Sequence, residues 1–138
     1  FYLTLTQPVG VLLWDTQAVA TITVDDPLPS LTVSDATIAE GNAGTRNLTF
    51  TIGLSAVSGR AVTVQYATAD GTASAGSDYV AKSGTLTVYP GAVSQTISVT
   101  VNGDAVVEPA ETELLNLFKP ANAVINIGQG IGLIVDDD

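Results

Sequence analysis

Apolar and polar residues alternate along most of the chain with a period of two, the mark of strands with one face buried and one face in water. Leu48, Phe50, Ile52 and Leu54 alternate with Thr49, Thr51, Gly53 and Ser55, and Ile97, Val99 and Val101 alternate with Ser98, Thr100 and Asn102. Similar runs occupy 31–38, 61–68, 84–89, 113–118 and 131–135, punctuated by Asp70-Gly71, Pro90-Gly91 and Asn102-Gly103. Those dipeptides supply the backbone conformations that tight turns require. Seven short strands so separated predict an all-β fold, an antiparallel sandwich. Helical periodicity is absent over any useful length, and only 106–115 has room for a turn or two of helix.

The chain also repeats itself. Residues 1–26 align without a gap on residues 113–138 at one constant offset, with Pro8 on Pro120, Gln17 on Gln129, Ile22 on Ile134 and Asp25-Asp26 on Asp137-Asp138. A shared order of apolar strand, loop, apolar strand and acidic end makes 1–26 the last two strands of a preceding repeat. On this reading 27–30 is a linker, Pro27-Leu28-Pro29-Ser30, and 31–138 is a complete domain.

Composition narrows the chemistry. Fourteen acidic residues against four basic ones give a formal charge of −10, which disfavours nucleic acid and anionic membrane surfaces and favours a cation as partner. His, Cys and Met are all absent. The usual ligands of zinc, haem, iron–sulfur and copper are therefore missing, as are the usual nucleophile–base pairs, and hard oxygen donors remain. The sequence shows no basic and apolar leader and no apolar stretch long enough to span a bilayer, so membrane insertion is not expected and any secretion signal is expected outside it. The Thr/Ser/Gly/Asp bias points to an extracellular setting.

In an up-and-down sandwich the ends of odd-numbered strands meet at one pole. The carboxylates there are Glu40 after the first strand, Asp70 after the third, Asp104, Glu108 and Glu111 after the fifth, and Asp136, Asp137 and Asp138 after the seventh. Two like charges ~4 Å apart repel by about 1 kcal/mol in water and about 4 kcal/mol near a protein surface, so so many acids call for a compensating cation. Arg46 and Lys82 are the basic side chains expected nearby, too few to neutralise them. Calcium, which accepts roughly 6–8 oxygens in irregular geometry, suits convergent acidic loops better than magnesium. Taken singly, Asp70-Gly71 and Asn102-Gly103-Asp104 read as ordinary turns and the terminal Asp run as a solvated end; their convergence carries the metal reading. A glycosidase reading fails because the acids form one group rather than a flanking pair, and because Trp14, Tyr66, Tyr79 and Tyr89 are scattered.

Several segments resemble the Calx-beta domain over essentially all of 31–138. They are Glu40-Gly41, the run Tyr66-Ala67-Thr68-Ala69-Asp70-Gly71-Thr72-Ala73, Ala75-Gly76-Ser77-Asp78-Tyr79, Ser83-Gly84-Thr85-Leu86-Thr87-Val88, Pro90-Gly91, Glu108 with Glu111-Thr112, and Asp136-Asp137-Asp138. The resemblance implies a seven-stranded immunoglobulin-like sandwich of the type found in sodium–calcium exchangers and in large exported bacterial surface proteins. It implies calcium ligands at Glu40, Asp70, Asp104, Glu108, Glu111, Asp136, Asp137 and Asp138, with the Val106 carbonyl as a further one. Gly103 stands where relatives often carry another Asp, and Glu113 where an inward aromatic is customary. A buried Glu is costly unless paired, so Glu113 is expected at the rim or beside a cation or donor. Asp78 is expected to bond backbone N–H groups rather than a metal.

These observations predict a non-enzymatic, calcium-binding structural or adhesive repeat of an extracellular surface protein or filament, stiffened by calcium at the junction with its neighbours. The alternative is a calcium-sensing regulatory domain attached to a transporter or enzyme. A further expectation concerns 1–26, whose exposed edges could pair with an identical subunit by strand addition.

Overall fold

The computed structural model describes residues 1–23 and 25–138. All of its regular structure is β-strand, and the loop from 104 to 110 contains no helical turn. Among the described residues before Ser30, the strands are β1 (Tyr2–Thr4) and β2 (Gln17–Val19), which pair with each other in a two-stranded antiparallel sheet.

The rest is a sandwich of nine strands: β3 (Ser30–Val33), β4 (Ala36–Ala39), β5 (Gly44–Leu54), β6 (Val62–Asp70), β7 (Ser83–Val88), β8 (Ser94–Gly103), β9 (Glu111–Ala121), β10 (Val124–Ile127) and β11 (Gln129–Val135). One sheet runs β10-β3-β5-β8 and the other β4-β11-β9-β6-β7. Seven expected strands become nine because the first, 31–38, is split between the sheets and because Val124–Ile127, outside the expected runs, forms a strand from which the chain crosses to the other sheet at β11. The first breaks at Ser34-Asp35, where Asp35 Oδ1 accepts the Ile131 N–H at 2.8 Å; β10 gives way to β11 at Gly128. The crossings also make two pairings parallel, β10 with β3 and β11 with β4, in an otherwise antiparallel fold.

The alternation reads through to burial. On β5, Leu48, Phe50, Ile52 and Leu54 face inward against Val62, Val64, Leu115, Leu117 and Ile134 of the opposite sheet. Truncating Phe50 to Ala removes a fully buried ring, a change that costs about 3–5 kcal/mol in such cores.

The segment after β6 matters for function. It leaves one sheet and lies against the edge of the other, where Val80 N–H donates to Thr100 O and Asn102 N–H to Asp78 O, at 2.9 and 2.8 Å. Tyr79 plunges into the core from this crossing, and its hydroxyl donates to Asp70 Oδ1 at 2.5 Å.

Candidate metal centre

The pole is assembled by strands that end side by side. The parallel pairing of β4 with β11 matches Ala39 to Val135, and Glu40 N–H continues it to Val135 O at 3.0 Å. Glu40 and Asp136 therefore leave neighbouring strands together. Asp136 then organises its surroundings: Oδ2 accepts the Glu108 N–H at 2.5 Å and Oδ1 the Asp138 N–H at 2.9 Å. Asp137 Oδ1 accepts the Gly41 N–H at 2.8 Å, and Asn42 donates to Asp138. Asp104 Oδ1 accepts the Val106 N–H at 2.7 Å, a local turn that starts the 104–110 loop.

Two groups of carboxylates result. Glu40, Asp136 and Asp138 each offer an oxygen within 4.8 Å of the others, and so do Asp78, Glu108 and Glu111. Burial, then the charges of Asp104, Asp136, Glu108 and Asp138, hold the Glu40 carboxyl above the usual carboxylate range. Glu111 is raised by burial and by Asp78 and Glu108, and Asp138 by burial and by Asp136, Asp137 and Asp104. Glu108 acts on members of both groups, which joins them into one acidic field. Glu40 is 6% exposed, and its Oε1 is buried with no hydrogen-bond donor among the described residues. A desolvated oxygen surrounded by like charge is destabilising unless a cation meets it.

The residues expected at this pole divide. Glu40, Asp104, Glu108, Glu111, Asp136, Asp137 and Asp138 are gathered there, and Val106 sits on the loop between Asp104 and Glu108 with its side chain exposed. Asp70 stands outside both groups, its Oδ1 taken by Tyr79 and by the Ala75 N–H at 2.9 Å; these two donors hold its carboxyl below the ordinary value. Asp78 does accept a backbone N–H, from Ser74 at 2.7 Å, yet it also joins Glu108 and Glu111. Its outward place beside the inward Tyr79 on the crossing segment carries it to the pole, a route that the alternation of two adjacent residues alone does not reveal.

Other expectations are corrected by packing. Gly103 leaves no room for an acid, because a Cβ there would lie 2.1 Å from the Gly41 carbonyl oxygen and 2.6 Å from that of Glu40. Arg46 does reach the pole, donating to Ala39 O at 3.0 Å and lying 4.0 Å from Asp137. Lys82 instead donates to Ser98 O at 2.8 Å, part-way along β8. Glu113 is neither at the rim nor paired: it is 0% exposed, both its oxygens lack partners among the described residues, and burial pushes its carboxyl up to about 7.

The donor set is hard oxygen throughout, supplied by irregular loops, and it contains one buried oxygen with no partner among the described residues. Those features fit calcium better than a soft-ligand or strictly octahedral metal. The Calx-beta domain model matches residues 25–138. This chain belongs to the Calx-beta domain family. The sodium/calcium exchanger Calx of Drosophila melanogaster is 40% identical over 77 residues, which are 54% of this chain and 8% of the exchanger. Among solved structures, the apo-form Calx CBD1 domain aligns with 81% of this chain and 100% of its own length, at 29% identity and a TM-score of 0.67. CBD12 from CALX1.2 aligns at 30% identity and a TM-score of 0.68, over 79% of this chain and 46% of CBD12. The chain thus spans under half of that solved Calx-beta structure and a small fraction of the exchanger.

Proposed function

We propose that this chain is a calcium-binding regulatory domain, whose loading at the acidic pole is sensed by the polypeptide to which it is attached. One observation carries the reading: a buried Glu40 oxygen with no partner among the described residues, set among Asp104, Asp136, Glu108 and Asp138. Likeness to the calcium-binding domains of Calx supports the sensing role over a purely structural one. Glu40, Asp104, Asp136 and Asp138 would hold an ion on one side, and Asp78, Glu108 and Glu111 on the other, with Asp137 and the Val106 carbonyl completing the shell. A bound Ca2+ supplies positive charge that offsets the repulsion among these carboxylates. The chain supplies the coupling: Asp136 holds Glu108 of the 104–110 loop, and Asp137 holds Gly41, so ordering the acids orders both loops. No catalysis is assigned to them.

The repetition of 1–26 in 113–138 favours a second reading, a calcium-stiffened unit of an extracellular array whose acidic ends sit at the junctions. Titration separates the two readings. A sensor binds calcium at micromolar concentration with a change in loop conformation, seen as new amide shifts at 104–110; a purely structural unit is saturated at the millimolar calcium found outside cells. Absence of saturable binding by wild type, or unaltered binding by Glu40→Gln, counts against both.

A further inference from the structure

The β1–β2 ribbon is paired in the same register as β9 and β11. Its partners are Tyr2↔Val19, Leu3↔Ala18 and Thr4↔Gln17. Moved by the offset that aligns 1–26 on 113–138, they become Leu114↔Ile131, Leu115↔Gly130 and Asn116↔Gln129, which are the partners observed between β9 and β11. The bond beyond the ribbon repeats too: Leu5 N–H donates to Thr16 O at 2.8 Å, and Leu117 N–H to Gly128 O at 2.7 Å. What differs is burial. Leu115, Leu117 and Ile134 are 0%, 7% and 3% exposed, whereas Leu3, Leu5 and Ile22 are 59%, 53% and 82% exposed.

In the sandwich this same face is covered by the sheet of β3, β5 and β8, and the outer edges of β9 and β11 are paired with β6 and β4. Among the described residues the ribbon has neither a covering sheet nor edge partners. A two-stranded ribbon with an open apolar face is marginal by itself.

We propose that this face and both edges are built to receive a segment of the same polypeptide lying upstream of Phe1, which carries the equivalents of β3 to β8, so that 1–26 closes a second sandwich. A second copy of this chain is a poor occupant. Its β3-β5-β8 sheet is already covered by its own β9 and β11, and it does not fit the ribbon's side chains. Ala18 and Ala20 stand where Gly130 and Gly132 pack. A Cβ at Gly130 would lie 3.0 Å from the Ser34 carbonyl oxygen, and one at Gly132 would lie 2.5 Å from Leu48 and 2.9 Å from Phe50. Phe1 would add an aromatic ring where Glu113 now sits. The upstream sheet must therefore carry smaller side chains opposite Ala18 and Ala20.

The inference rests on register and packing and is independent of calcium. Amide hydrogen exchange tests it on two unmutated proteins, the 138-residue chain and the same chain extended upstream by its natural sequence for one further unit. The Tyr2 and Thr4 amides are equivalent to those of Leu114 and Asn116, which face Ala69 and Ala67 of β6. They should exchange about 100-fold more slowly in the longer chain, as opening a cooperative unit then becomes necessary. Equal exchange in both proteins overturns the proposal. So does protection in the 138-residue chain that grows with protein concentration alongside a dimer in sedimentation, because the occupant is then a second copy.

Discussion

Single carboxylates at this pole differ in what they touch, and substitutions should separate them. Glu40→Gln and Asp78→Asn each remove one charge from a group of three acids within 4.8 Å, and each should weaken calcium binding at least tenfold in calorimetric titration. Asp70→Asn should change affinity much less and lower the melting temperature, because its carboxylate anchors Tyr79 and the Ala75 amide. Equal losses of affinity at all three positions would contradict the assignment. Glu113 gives a prediction of opposite sign. Its carboxyl titrates near 7 in the folded chain and near 4.5 when unfolded, so the folded state holds the proton more tightly. Stability is then free of this penalty below pH 4.5, falls as pH rises to 7, and above that carries a cost of about 3 kcal/mol. Urea denaturation in chelator should show Glu113→Leu to be more stable than wild type at pH 8, with a smaller difference at pH 4.5. A difference that does not change with pH would refute the burial of a titrating carboxyl.

Elements rather than residues explain how much the sequence disclosed. Period-two alternation marks inward positions directly, so Leu48, Phe50, Ile52 and Val99 are legible in the sequence. Sheet switching is not, because β3 and β4 lie in one alternating run, 31–38, whose break depends on Asp35 capturing the Ile131 amide across the fold. The gathering of acids at one pole was legible for a related reason: acids follow the ends of alternate strands, and strand parity fixes which ends meet. Asp78 escaped because it lies on a segment that changes sheets, and Gly103 because close approach of the Glu40-Gly41 backbone leaves no trace in the sequence. Gly103→Asp accordingly does not add a ligand; it forces the strand-end backbone apart. Denaturant unfolding should show a loss of about 2 kcal/mol or more, with calcium affinity no better than wild type. Tighter binding by that variant would show that the loop yields to make room.

For the whole molecule, the acidic pole couples fold stability to solution conditions. Glu40, Glu111 and Asp138 all hold their protons to higher pH than ordinary carboxylates, so protons compete with a metal sooner than at isolated acids. Calcium affinity should therefore fall as pH drops from neutrality, before carboxylates with ordinary values titrate. A flat affinity between pH 7 and 5 would oppose this. The central claim is tested most directly by calorimetric melting of the chain in chelator and in calcium, because a ligand bound only by the folded state stabilises it by mass action. At a calcium concentration one hundred times Kd the account predicts about 2.7 kcal/mol of added stability, a rise in Tm that Glu40→Gln largely abolishes. An identical Tm with and without calcium would contradict it.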